Sequence, residues 1–162
     1  MKLKINTNSG FCKNCFNLRR EGSAYCGNCS GEKFPVYIYG EDPPFIDFIK
    51  KSFKVNDDTV YTYGDTIYYK GGELSDSLIS HEITHVLQQT KMGKDEWWEK
   101  YLEDEKFRLD QEVEAYRNQY KAGELSGVKG LNLLLDKISK DLSSGLYGYI
   151  ISYEEAKKLI KN

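Results

Sequence analysis

Apolar residues recur along this chain first at strand spacing and then at helical spacing, and the change between the two marks its elements. Phe34 to Tyr39 is a run of aromatic and β-branched residues that predicts a first strand. Glu41-Asp42-Pro43-Pro44 opens a short helix, since prolines are tolerated in a first turn. Phe45, Phe48, Ile49 and Phe53 then recur at helical spacing, predicting a helix that backs a sheet. Thr59–Tyr63 and Thr66–Tyr69 are rich in Val, Ile, Thr and Tyr and are joined by Gly64-Asp65, a two-residue hairpin signal. Ser75 or Asp76 caps a helix running to about Thr90, with Gly93 as its stop. A second helical stretch holds Trp97, Trp98 and Tyr101, and a third runs from about Lys106 to Lys121. The glycine-punctuated residues 123–130 lead to a helix over Leu131–Leu142, followed by the aromatic connection Leu146–Tyr149. The last helix starts at Ser152, where Ser-Tyr-Glu-Glu155 is a capping box. A β–α–β–β order followed by helices argues an α+β fold.

Composition narrows the class. A chain of 162 residues suffices for one well-cored domain, and 40% hydrophobic with 30% charged residues describes a soluble globular protein rather than a disordered one. No apolar run approaches the roughly 20 residues needed to span a bilayer, and MKLKINTNSG lacks the apolar core of a signal peptide. The expected compartment is the cytoplasm, with no membrane partner. The net charge of −2 is unevenly spread: residues 1–35 carry six Lys/Arg against two Asp/Glu, so the rest is acidic. That asymmetry fits a basic docking module for protein or nucleic acid, and equally a few solvated surface cations.

All four cysteines lie in one short stretch, as Cys12-Lys-Asn-Cys15 and Cys26-Gly-Asn-Cys29. Each C-x-x-C pair can turn tightly enough to aim two thiolates at one ion, and two such pairs complete a tetrahedron. The expected reading is a closed, structural zinc knuckle over residues 1–33, ahead of a second domain over 34–162. Disulfides are disfavoured in a cytosolic chain, a redox pair lacks its strand–CxxC–helix setting, and an iron site of the rubredoxin kind uses the same four thiolates.

His81-Glu82-Ile83-Thr84-His85 carries the chemistry. Positions i and i+4 of a helix share one face, so both imidazoles can bind one Zn²⁺ while Glu82 reaches its water. Two exposed histidines on a surface helix are the bland reading, but Ile79, Ile83, Val86 and Leu87 make the helix too apolar for the surface. His81 and His85 are the only histidines in the chain, which excludes a three-imidazole site within one subunit. The third ligand is therefore expected to be a carboxylate, with candidates in Asp110-Gln-Glu112-Val-Glu114.

HEITHVLQQ followed by E-V-E-A-Y resembles the compact gluzincins, among them the ImmA/IrrE-type peptidases and the short HExxH metallopeptidases encoded by tailed phages. The likeness covers roughly residues 58–155, including Trp97-Trp98-Glu-Lys-Tyr101 and Tyr147-Gly148. It implies a minimal zincin-like domain in which Glu112 is the third ligand to a catalytic zinc, with Ala115 as the family's alanine. Tyr116 stands where many relatives have Asp or Asn supporting a zinc ligand, leaving Asp110 as a substitute. Helical register agrees with Glu112: it lies roughly 70° from the centre of the Leu109, Val113, Tyr116, Tyr120 stripe, and Glu114 about 130° from it.

The resemblance implies a zinc hydrolase of peptide or related amide bonds, with Glu82 as general base and a protein or peptide substrate. With no spare histidine, the donor to the tetrahedral intermediate falls among Tyr116, Arg117, Tyr120, Tyr147 and Tyr149. Thr66–Tyr69 is the expected edge strand, able to bind an extended peptide by β-addition. The alternative is a catalytically silent zinc-site protein serving as a virion or regulatory component, which would place it in a virion or host cytoplasm. An intact Glu82 favours catalysis.

Overall fold

The structure, a computed structural model, describes residues 5–12, 33–71 and 73–162, the first eight and 33–39 as backbone alone. It is helix-rich and of the α+β class. The elements are β1 (Ile5–Cys12), β2 (Lys33–Tyr39), α1 (Ile46–Ser52), β3 (Tyr61–Tyr63), β4 (Thr66–Tyr68), α2 (Asp76–Met92), α3 (Lys94–Glu103), α4 (Glu105–Leu125), α5 (Leu131–Leu142) and α6 (Tyr153–Lys161). Among the described residues no helix is long and apolar enough to cross a membrane.

The strands form one mixed sheet in the order β1-β2-β4-β3, antiparallel except for the β2–β4 pair. Two expectations change here. Ile5–Cys12 is a strand that the polar run Asn-Thr-Asn-Ser-Gly did not announce, because its strand state comes from pairing with β2 rather than from its own propensity. Thr66–Tyr68 is interior, so the outer strand beside the helices is β3, not β4. Of the expected knuckle ligands, Cys15, Cys26 and Cys29 lie outside the described residues, and Cys12 ends β1 with its backbone paired to Lys33.

Helix α2 organises the rest because two of its faces are buried. Each residue turns about 100°, so Ile79, Ile83 and Leu87 form one stripe, while His81, His85 and Gln88 form another on the opposite side. The first stripe packs with Ile67 and Val60 of the sheet region and with Leu74. The second faces α4, which runs alongside α2. Ser75 caps α2 by accepting a hydrogen bond from the Leu78 amide, and Gly93, at φ 96°, ends α2 and begins α3.

The main core lies among α3, α4, α5 and α6, around Trp97, Tyr116, Ile138, Leu142 and Ile160. Helix α4 runs to Leu125, past the expected stop at Lys121, with Gly123 inside it at the close approach to Leu134 of α5. In α1 the apolar stripe is narrower than its spacing implied. Ile49 is buried and Phe53 joins the helical core, but Phe48 is 65% exposed, since a two-turn helix cannot turn all four positions inward.

Ile83 is fully buried where α2 meets the sheet. Ile83→Ala should cost about 2–5 kcal/mol in denaturant unfolding, from lost transfer energy and the cavity left behind. A cost below about 1 kcal/mol would show that this seam is not tightly packed.

Candidate metal centre

The α2 stripe and one residue of α4 converge below the sheet. His81 and His85 turn their Nε2 atoms toward each other at 3.1 Å. The Glu112 carboxylate approaches both, with Oε2 3.4 Å from His81 Nε2 and Oε1 3.4 Å from His85 Nε2. All three residues are buried, and their ligand atoms lie within 4.8 Å of one another. A buried His81, His85, Glu112 group of this kind can hold a metal ion. Tetrahedral ligands with bonds of about 2.0–2.2 Å sit roughly 3.3 Å from each other, so the observed separations need little adjustment. Glu112 Oε2 is buried without a hydrogen-bond partner, as expected of an atom reserved for a cation.

The electrostatics of the group are those of a buried anion between two bases. Burial pushes the Glu112 carboxyl up, but the neighbouring imidazoles of His85 and His81, each 3.4 Å from one of its oxygens, outweigh it and hold the group well below the usual carboxylate range. Burial likewise opposes a charged His85, yet Glu112, with smaller contributions from Glu82 and Gln88, raises it to about 9. Without metal, His85 therefore carries a proton at neutral pH.

Supporting contacts come from three helices. His85 Nδ1 pairs with Gln88 Oε1 at 2.8 Å, and Gln88 Nε2 donates to Glu114 Oε2 at 2.9 Å and to the Gln111 carbonyl at 3.1 Å. Tyr101 of α3 donates its hydroxyl to Glu112 Oε1 at 2.6 Å. Buried Arg108 donates to the carbonyls of Tyr101 (2.7 Å) and Tyr147 (3.1 Å), tying α3 and the α5–α6 connection to α4. His81 Nδ1 has no hydrogen-bond partner; its ring instead packs edge-on against Tyr116, centroids 4.4 Å apart. Gln88 and Tyr101 fall in the stretches that carry the family resemblance, but no sequence feature assigns either a role at the site, and Arg108 lies at an ordinary helical position.

Glu82 projects from α2 beside this group, 4% exposed, and its Oε2 accepts a hydrogen bond from Thr62 Oγ1 at 2.7 Å. His81, Glu82, His85 and Glu112 all line a cavity of about 550 Å³ that is walled by α1, α3, α5 and the segment entering β3. Among the expected hydroxyl donors, Tyr116 and Tyr147 line it and share a hydrogen bond of 2.8 Å. The others do not reach it. Arg117 is exposed and donates to the Leu159 carbonyl, Tyr149 is 63% exposed beside Lys54, and Tyr120 lies farther along α4. Asp110 is exposed and paired with Lys106, so it does not support a ligand. Glu114 lies on the solvent side of α4, as its register implied, although through Gln88 it still buttresses His85.

No family model matches the chain, and no curated protein or solved structure matches it.

Metal uptake should release a proton, because a ligating imidazole is neutral and His85 is otherwise protonated. Affinity should rise with pH up to about 9, where His85 titrates, and flatten above it. Competition titrations with a buffered chelator across that range test this, and a flat profile between pH 6 and about 8 would contradict it. Glu112→Ala should abolish binding at the site. Gln88→Ala should weaken it by about 10–100-fold, and Glu114→Ala by less, since Gln88 keeps its bond to His85.

Proposed function

We propose that the chain is a zinc-dependent hydrolase of peptide or related amide bonds, with His81, His85 and Glu112 holding the catalytic ion. The observation that carries this reading is the position of Glu82. A metal group serving structure alone has no use for a second carboxylate facing the same cavity, held by Thr62 and left out of the ligand set. The donor set of two imidazoles and one carboxylate is the one zinc takes in hydrolytic sites, where a fourth position stays open.

Zinc bound there supplies Lewis acidity, bringing the pKa of water toward neutrality and polarising an amide carbonyl. Glu82 then takes the proton of the attacking water and returns it to the leaving amine. Thr62 donates to one of its oxygens, leaving Oε1 for that transfer. Tyr116 and Tyr147 share one hydrogen bond between two hydroxyls, so one hydroxyl proton remains to donate to the developing oxyanion. Burial raises both phenols well above the ordinary tyrosine range, keeping them protonated as such a donor requires. Tyr101 and Gln88 orient Glu112 and His85.

The four cysteines complete the proposal with a second, structural zinc bound by Cys12, Cys15, Cys26 and Cys29. That knuckle, the more basic part of the chain, would be its docking module for protein or nucleic acid.

Glu82→Gln should keep zinc and fold but lower hydrolysis by about 10²–10⁴-fold, because only the proton-handling group changes. Mass-spectrometric profiling of a diverse peptide library with wild type and variant reads this out. Equal turnover by both would remove Glu82 as the base, and no turnover by wild type would remove the hydrolase reading. Metal analysis of the purified full chain should find two zinc ions, of which a mild chelator takes the catalytic one first, since only that site has an open position.

A further inference from the structure

Beta-addition needs an outer strand with free backbone groups level with the site. Among the described residues β3 is that strand, and Thr62 is level with the site through its bond to Glu82. Its carbonyl is not free. Gln89 Nε2 and Trp98 Nε1 both donate to Thr62 O, each at 2.9 Å. A carbonyl oxygen has two lone pairs, so this acceptor is full.

The cap is part of the packed structure. The Trp98 ring lies 4.3 Å from Phe45, 5.1 Å from Tyr101 and 5.3 Å from Trp97, centroid to centroid. Gln89 is buried and accepts from the Gly64 amide at 2.8 Å with its other end. Beyond Thr62 the strand is covered as well, with Tyr63 against Phe45 and beneath the Lys94 ammonium. The cavity has the same polarity. Its wall includes Thr59, Val60, Tyr61 and Thr62 and stops short of Tyr63. The cavity therefore continues along the strand on the Val60 side of Thr62, while the outward carbonyl of Thr62 itself is already taken.

We propose that the cleft is one-ended and takes the free amino end of an extended peptide, with the Trp98 indole on Thr62 as its stop. This rests on the hydrolase reading above. Strands pair more stably antiparallel. A peptide antiparallel to β3 places the residues after the scissile bond along Val60 and Thr59, where the cavity continues. Its residues before that bond run toward Tyr63, where Gln89 and Trp98 occupy the Thr62 carbonyl and Gln89 the Gly64 amide, so backbone pairing stops there. Hydrolysis there adds the water's hydroxyl to the acyl carbon and its proton to the leaving amine, releasing the first residue and a shortened peptide. Trp98 acts as a specificity-determining residue and takes no part in the bond cleavage.

The test uses the zinc-loaded full chain and paired peptides of one sequence, with a free or an acetylated amino terminus. Wild type should release residues stepwise from the free terminus, with kcat/KM on the acetylated partner lower by about 100-fold. Calorimetric binding to zinc-loaded Glu82→Gln should show the same preference without turnover. Trp98→Ala should narrow the gap by about tenfold or more, and Trp98→Phe, which keeps most of the packing and frees one lone pair of Thr62, should narrow it in part. Cleavage of internal bonds in acetylated peptides at comparable rates would overturn the inference while leaving the hydrolase reading intact. So would release of residues from the carboxyl end alone, or an unchanged gap in a folded Trp98→Phe. Absence of hydrolysis of every peptide would overturn the hydrolase reading and this inference with it.

Discussion

A carboxylate that is 2% exposed beneath two imidazoles sets the terms for the whole helical half of this protein. Burying an ionised glutamate without compensation is among the most expensive things a fold can do. Glu112 sits in the middle of α4, where the chain cannot turn it to water without unpacking Val113 and Tyr116 on the same helix. Compensation therefore has to come to it. His85 supplies it, since Glu112 favours the protonated form of that imidazole, and a metal ion held by the three residues would supply it instead. A divalent ion in place of that proton would leave the site one charge unit more positive, so a bound metal would more than offset the Glu112 charge.

That requirement explains polar groups that would otherwise weaken the core. Tyr101, Gln88 and Arg108 are each buried, and each donates to a group at or next to the site. Among the described residues Arg108 has no carboxylate partner. Its guanidinium instead donates to backbone carbonyls and lies over the rings of Phe53 and Tyr101, a placement suited to a weakly hydrated cation. Removing any one of these would leave another buried polar atom unpaired, which makes the network costly to alter piecemeal. His81 is the weakly held member. Its Nδ1 has no hydrogen-bond partner, and its ring packs edge-on against Tyr116.

Much of this was readable in the chain because it is local. The caps at Ser75 and Ser152, the glycine between α2 and α3, and the imidazole pair one turn apart are each fixed within a few residues of sequence. The choice of Glu112 over Glu114 was readable too, since helical register converts spacing into direction. What escaped was non-local. Gln88 is an unremarkable polar residue until α4 lies beside it, and Tyr101 is one of thirteen tyrosines until α3 folds back over Glu112. Asp110 is close enough in sequence to support a ligand, but its side of α4 points to Lys106 and water. Ile5–Cys12 has too few apolar residues to announce a strand, and its state follows from the partner it meets.

The misjudged sheet edge has the same origin and a further consequence. Alternation and turn residues define a hairpin, but they do not say which of its two strands the rest of the sheet will join. Here β2 pairs with the second strand, in parallel, and leaves the first outermost. An outer strand is a hazard as well as an opportunity, since its free backbone groups invite any extended chain. Gln89 meets that hazard from the last turns of α2, with its amide nitrogen on Thr62 O and its amide oxygen on the Gly64 amide. A side chain that bridges a strand carbonyl and the amide of the turn that follows occupies the place a neighbouring strand would take. Its cost is small because both of its own polar ends are satisfied in the same act. The helix that carries the two imidazoles thus also covers part of the adjoining strand, so the site and the strand's exposed edge are coupled through α2.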